Sequence, residues 1–204
     1  RKPADSVVTT DVGQHQMWAH QHIGREHARS FLSSGGLGTM GFGFPAAIGA
    51  KFGCPDKQVV CVAGDGSFQM NSQEMATAAI NNTAVKVFLL DNRALGMVHQ
   101  WQKLFYGKRY SMTNLRSGAL YRRTNGQEMP EYTPDFVKLA EAMGAKAYRV
   151  TQKEELEPTL REAISLNAPV VIDCQIGCDD KVFPMVSPGA PIADAFDDTD
   201  LKIN

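Results

Sequence analysis

The chain has 204 residues, 43% hydrophobic and 21% charged, the composition of an ordinary globular protein with one well-buried domain. Twenty-one Lys and Arg stand against 22 Asp and Glu, a formal net charge of −1, so no bulk field draws the chain to nucleic acid or an anionic membrane. No apolar run is long enough to span a bilayer, the first residues do not read as a secretory signal, and the four cysteines (Cys54, Cys61, Cys174, Cys178) lack framework spacing, so a reducing cytoplasm is the expected setting.

The chain opens on Arg1-Lys2-Pro3 rather than Met, and is expected to be a piece of a longer polypeptide. Ser6 to Val12 has the β-branched density of a strand, and Gln14 to His22 can form a short helix. Ser30 to Ser34 is a weaker strand candidate ending at Gly35, Gly36 and Gly38. Met40 to Phe52 is small and apolar and reads as a tightly packed helix. Val59 to Ala63 is an apolar run too short for a helix and bounded by turn signals, so it is expected as a central strand. Asn71 with Glu74 reads as a capping box opening a helix over Ser72 to Ile80. Val85 to Leu90 is the next strand and Ala94 to Phe105 the next helix.

Gly107 to Glu131 breaks this rhythm with Lys108, Arg109, Arg116, Arg122 and Arg123 and little apolar periodicity, and is expected to be a mobile loop. Thr133-Pro134 signals the start of a helix over Asp135 to Met143. Ala147 to Val150 is a short strand. Thr151 with Glu154 reads as a second capping box, and Pro158 predicts a kink or restart in the helix that follows. Pro169 to Ile176 is the last strand, and the tail from Phe183 to Asn204 is expected to wrap the surface. Apolar strands alternating with helices predict an α/β fold, three layers with a central parallel sheet covered on both faces.

Ligands in such sheets sit outside the carboxyl ends of the strands, where Asp65 and Asn92 fall. Asp65 is a hard anionic oxygen ligand and Asn92 a neutral one, a pair suited to Mg²⁺ or Ca²⁺. Gly64 and Gly66 lack a Cβ, so backbone N–H groups there can approach phosphates closely, and Ser67 adds a hydroxyl. One helix and one strand separate Gly66 from Asp91, the spacing that sets two strand ends side by side.

Gly64-Asp65-Gly66 followed at that distance by Asp91-Asn92 resembles the GDG…NN signature of thiamine-diphosphate (ThDP) enzymes, with Asp91 where the family's first Asn stands. More narrowly, the stretches Asp11 to Trp18, Ser34 to Lys51, Leu95 to Gln102, Pro134-Asp135-Phe136 and Val182 to Val186 resemble the acetolactate synthase (acetohydroxyacid synthase) large catalytic subunits. The resemblance implies that residues 1–204 form only the C-terminal, diphosphate-binding domain of a three-domain subunit. It implies Mg²⁺ held by Asp65, Asn92 and the Ala94 carbonyl, and diphosphate contacts from Gln14, His15, Gly66, Ser67 and Gly96. Gly38 and Met97 would line the aminopyrimidine side, and Met40 would be the apolar wedge that keeps the cofactor bent. Met97, Val98 and Trp101 would line the substrate pocket, Trp101 favouring the larger 2-ketobutyrate as second substrate. The implied reaction joins pyruvate to a second 2-ketoacid with loss of CO₂. The glutamate that activates the cofactor would come from the N-terminal domain of a neighbouring subunit in a dimer or tetramer. A non-redox FAD and a regulatory small subunit are further implied partners.

A rival signal is Gly36-Leu37-Gly38-Thr39-Met40-Gly41, which matches the dinucleotide pattern G-x-G-x-x-G with Asp56 downstream. Asp56 lies in a Cys54-Pro55 turn before the next strand rather than at a strand's end, which argues against ribose binding. Within the ThDP family a 2-ketoacid decarboxylase is the nearest alternative.

Overall fold

A computed structural model describes residues 5–24, 27–115, 133–187, 189–197 and 199–200. Six strands form one parallel sheet: β1 (Ser6–Thr10), β2 (Phe31–Ser33), β3 (Gln58–Gly64), β4 (Val85–Asp91), β5 (Lys146–Val150) and β6 (Val170–Gln175), in the order β2-β1-β3-β4-β6-β5. The helices are α1 (Gln14–His22), α2 (Gly43–Gly53), α3 (Asp65–Phe68), α4 (Met75–Ile80), α5 (Gly96–Phe105), α6 (Phe136–Ala142) and α7 (Lys153–Ser165). No helix among the described residues is long and apolar enough to cross a membrane.

The central strands carry apolar residues on both faces, and each face is covered. Val59, Cys61, Ala63, Val85, Val87 and Leu89 pack beneath Phe44, Ile48, Met75 and Phe136 from α2, α4 and α6. On the other face Val8 and Val62 meet Ala19 of α1, while Ile172 and Val170 meet Ala163 and Leu160 of α7. Each buried Val, Leu, Ile, Phe or Met among them contributes roughly 1.5–3 kcal/mol, so the strands that lie deepest, β3 and β4, anchor the sheet most firmly. The expected three layers are therefore present. Arg149 on β5 bonds both Asp173 of β6 (3.0 Å) and Asp135 at the start of α6 (2.7 Å), tying that edge together.

Local signals fared unevenly. The Asn71–Glu74 capping box is absent: Asn71 donates across the fold to the Gly41 carbonyl (2.7 Å), and Glu74 accepts from Thr77 (2.9 Å). A 3₁₀ turn over Ser72–Glu74 precedes α4 instead of one continuous helix. Helix α6 is capped by Asp135, which accepts from the Lys138 N–H (3.2 Å), rather than by Thr133; a carboxylate one residue past Pro134 outcompetes a hydroxyl before it. The second capping box is shifted by one: Glu155, not Glu154, reaches back to the Thr151 and Gln152 N–H groups (2.9 and 3.1 Å). Pro158 neither ends nor restarts α7, which is unbroken from Lys153 to Ser165.

Of the expected loop, residues 107–115 return to pair with the segment after β4, through Leu95 N–H to the Thr113 carbonyl (2.8 Å) and Leu115 N–H to the Arg93 carbonyl (3.0 Å). The remainder, 116–131, lies outside the described residues. The tail turns back on itself where Met185 and Phe196 exchange backbone hydrogen bonds (2.9 and 2.8 Å).

The start of α2 is pressed against the end of β1. A Cβ on Gly43 would lie 2.5 Å from the Asp11 nitrogen and 2.8 Å from the Thr10 carbonyl carbon, both rigid backbone. Gly43→Ala is expected to destabilise the fold by about 3 kcal/mol, the upper range of overpacking, read as a lower denaturant midpoint at unchanged slope.

Candidate active site

Chain direction in the sheet reverses between β1 and β3: β1 leads outward to β2, and β3 leads the other way to β4. Open α/β sheets bind ligands at such a switch point, where the loops after neighbouring strands diverge. A cavity of about 300 Å³ opens there. It is bordered by the loop after β1 (Gln14, His15), the glycine-rich loop (Gly38, Met40), the end of β3 (Gly64, Asp65, Gly66, Ser67), the segment after β4 (Asn92, Ala94) and α5 (Gly96, Met97, Val98, Trp101). The residues that the resemblance implies for cofactor, metal and substrate thus all border one cavity. Asp56, by contrast, sits in the turn before β3, at the opposite end of the strand whose carboxyl end carries Asp65. The dinucleotide reading finds no support there.

Strand register builds the acidic end. Gly64 of β3 pairs with Leu90 of β4, so the next residues, Asp65 and Asp91, stand side by side. Both are buried, 3% and 2% exposed. Burial, then the charge of Asp91 and its hydrogen bond, hold the Asp65 carboxyl well above the usual carboxylate range; the Gly66 and Arg93 N–H groups pull the other way. Two buried carboxylates with backbone donors as partners form a site that favours a cation. Asn92 adds an amide oxygen, and the Ala94 carbonyl accepts no backbone hydrogen bond from the described residues. The donors gathered here are carboxylate, amide and carbonyl oxygens, a set that suits Mg²⁺ or Ca²⁺ better than a soft metal.

The adjoining end is built for an anion. Helix α5 starts at Gly96 with Leu95 as N-cap and no capping side chain, and its first N–H groups belong to residues that border the cavity. A Cβ on Gly64 would meet the His15 imidazole at 2.7 Å, and one on Gly66 would meet Leu95 at 2.7 Å, so the close approach of these segments needs glycine. Ser67 donates to the Val12 carbonyl (2.9 Å), joining the loops after β1 and β3. Met40 lies against Gly66, where a Cβ would be 3.7 Å from its terminal methyl. Met97 and Trp101, one turn apart on α5, face the same cavity, with Trp101 44% exposed.

His15 is buried, and desolvation takes its pKa down to about 4 against a hydrogen bond to the Asp11 backbone that raises it. Its Nε2 has no partner among the described residues. A histidine that folds neutral and unfolds chargeable stabilises the protein fully above pH 6.5, and that contribution is lost as pH falls towards 4. The loss amounts to roughly 3 kcal/mol over the window. NMR of the His15 ring in the cofactor-free protein is expected to show a midpoint near 4; one near 6.5 would mean the ring is solvated.

Two residues in this region carry no local sequence signal. Asp11 directly follows β1 and accepts from the Val12, Gly41 and Gly43 N–H groups (2.9, 2.8 and 3.0 Å), pinning the glycine-rich loop and the start of α2. Gln100, on the buried side of α5, bonds Gln14 and Val182. Neither could be told from a turn aspartate or a solvated helix glutamine, because the partners are remote in sequence.

This geometry, a buried acidic pair beside an uncapped helix start at the switch point of a parallel sheet, defines an α/β domain with a ligand site at its strand ends. Residues 11–174 match the family of thiamine pyrophosphate enzymes, C-terminal TPP binding domain, and the chain belongs to that family. It is 49% identical to the acetolactate synthase large subunit of Corynebacterium glutamicum over 93% of this chain and 29% of that protein. It is 46% identical to the acetolactate synthase isozyme 2 large subunit of Escherichia coli, over 93% of this chain and 32% of that one. It is 47% identical to the probable acetolactate synthase large subunit of Methanococcus aeolicus, over 95% and 30%. The chain therefore spans about three-tenths of the length of these curated relatives.

Proposed function

We propose that the chain is the diphosphate- and Mg²⁺-binding domain of a longer acetolactate synthase catalytic subunit, which joins pyruvate to a second 2-ketoacid with loss of CO₂. The observation that carries this reading is the meeting of Asp65, Asn92, the uncapped start of α5 and Met40 on one cavity, in a chain 46–49% identical to acetolactate synthase large subunits. Asp65, Asn92 and the Ala94 carbonyl would hold Mg²⁺, which neutralises the two buried carboxylates. His15 and the N–H groups of Gly66 and of Gly96 onward would receive the diphosphate, with Gln14 and Ser67 contributing backbone N–H groups, because their side-chain protons are held by Gln100, Asp180 and Val12. Because His15 is neutral, an anionic oxygen against Nε2 requires a proton there, and binding is expected to raise the His15 pKa. Met40 would press on the cofactor from beneath, with Gly38 and Met97 beside its aminopyrimidine. ThDP, when bound, supplies an electron sink for the carbanion left by CO₂ loss.

Met97, Val98 and Trp101 form the apolar wall against which the second ketoacid would sit. Trp101→Leu opens that wall and is expected to cut the preference for 2-ketobutyrate over pyruvate by roughly 10-fold, the scale of one or two lost hydrophobic contacts. Competition between the two ketoacids reads this directly. The activating glutamate, the main FAD pocket and the contacts of a dimer or tetramer, with or without a regulatory small subunit, would lie in the rest of the subunit. This chain alone is therefore expected to bind ThDP weakly and turn nothing over. The test is product analysis of the full-length enzyme with pyruvate, ThDP and Mg²⁺: acetolactate supports the assignment, and acetaldehyde as the main product replaces it with a decarboxylase.

A further inference from the structure

Helix α5 presents Trp101 to the cavity, while its neighbour Gln100 points inward, 2% exposed. Gln100 pairs with both backbone groups of Val182: Val182 N–H donates to Oε1 (2.9 Å) and Nε2 donates to the Val182 carbonyl (3.0 Å). An N–H can only donate and a carbonyl can only accept, so this pairing fixes which end of the amide is oxygen. The same Oε1 accepts from Gln14 Nε2 (2.8 Å), whose second proton goes to the Asp180 carbonyl (2.7 Å). With its nitrogen committed, Gln14 turns Oε1 to Asn92 Nδ2 (3.2 Å). Asn92 is then oriented in its turn: its nitrogen faces Gln14, and Oδ1, which accepts from the Ala94 N–H (3.0 Å), is the end left to act as oxygen donor. Asn92 is thus held at both ends: the Ala94 N–H fixes Oδ1, and the relay Val182, Gln100, Gln14 holds Nδ2 from the other side.

We propose that Gln100 is a positioning residue for the metal site, and that it makes the segment Asp180–Met185 part of that site by holding, through Gln14, the nitrogen end of Asn92, so that Oδ1 stays available to the cation. The inference rests on Asn92 being a Mg²⁺ ligand, as proposed above. A hard cation binds the oxygen of an amide and is repelled by its NH₂, so a flipped Asn92 loses the ligand. Residues that orient metal ligands from behind set affinity by about 10–100-fold.

The experiment uses the full-length enzyme and two variants. Gln100→Met keeps the length of the side chain and removes every hydrogen bond. Gln100→Glu keeps the acceptor facing Gln14 and Val182 N–H and loses only the donors. Calorimetry of Mg²⁺-dependent ThDP binding is expected to show about 10–100-fold weaker affinity in Gln100→Met and a smaller loss in Gln100→Glu, with KM for pyruvate at saturating cofactor within about twofold of wild type. A merely structural glutamine would lower the thermal midpoint and leave the affinity of the folded protein alone; folded Gln100→Met with wild-type affinity overturns the proposal. Linkage supplies a check that needs no variant. If the tail holds the site, Mg²⁺ and ThDP must hold the tail, slowing amide exchange at residues 182–185 of the wild-type enzyme; unchanged exchange there also overturns it. Wild-type enzyme that fails to bind ThDP at all would instead remove the function from which the inference starts.

Discussion

Asp65→Asn is expected to leave the full-length protein more stable without cofactor and unable to bind it. The two effects have one cause. Asp65 and Asp91 are buried side by side by the β3–β4 register, and the Asp65 carboxyl is held well above its ordinary range by burial and by its neighbour. A carboxyl whose folded pKa is raised keeps its proton where the unfolded chain has lost it. Its stabilising contribution is therefore greatest at low pH and is lost as pH rises from the unfolded value through the folded one. At neutral pH the pair costs stability that a neutral amide recovers, on the order of 1–3 kcal/mol. The same amide removes the negative charge that draws Mg²⁺ in, so cofactor affinity is expected to fall at least about 100-fold, the upper effect of losing a metal-site group. Thermal unfolding separates the outcomes. Wild type should rise on adding Mg²⁺ and ThDP by mass action, whereas the variant should start higher and not move. A variant that starts lower would mean that Asp65 is stabilising without the metal.

Gly96→Ala is the second large effect, and it is steric. A Cβ there would collide with the Gln14 carboxamide oxygen and lie 2.5 Å from Asn92 Nδ2. Both side chains belong to the relay from Gln100, and neither can retreat without breaking a bond to the tail or to Ala94. Overpacking of 1–3 kcal/mol placed on these groups corresponds to about 10–100-fold weaker ThDP binding, measured by calorimetry with Mg²⁺ saturating. Gly49→Ala in α2 is the control: its added Cβ meets nothing within 4 Å, and it should leave affinity unchanged while raising stability by roughly 0.5–1 kcal/mol.

The parts of the site that could be read from sequence are those set by near neighbours or by strand period. Val59 to Ala63 is apolar throughout, and Val85 to Leu90 at every position but Lys86, because both faces of β3 and β4 are covered, and strand ends carrying Asp65 and Asn92 follow from that. Met97 and Trp101 share a face because they are one turn apart. What was not legible depends on contacts between distant residues. Asn71 looks like a helix cap until the Gly41 carbonyl arrives from 30 positions away. Gln100 looks solvated until Val182 covers it from 82 positions away. Asp91 reads as a substitute within a signature, and only the register shows it to be the second carboxylate of an acidic pair. Strand order was equally closed to sequence: alternation of strands and helices predicts a parallel sheet but not that β1 lies between β2 and β3, which is what creates the switch point.

In the proposed function this domain holds ThDP through a divalent cation bound at Asp65 and Asn92. Titration of ThDP into the full-length protein, with Mg²⁺ and again with the metal chelated, tests it most directly. Saturable binding at one site per chain with Mg²⁺, lost on chelation, is the expected result. ThDP binding indifferent to the metal, or tight NAD⁺ binding in its place, would contradict it.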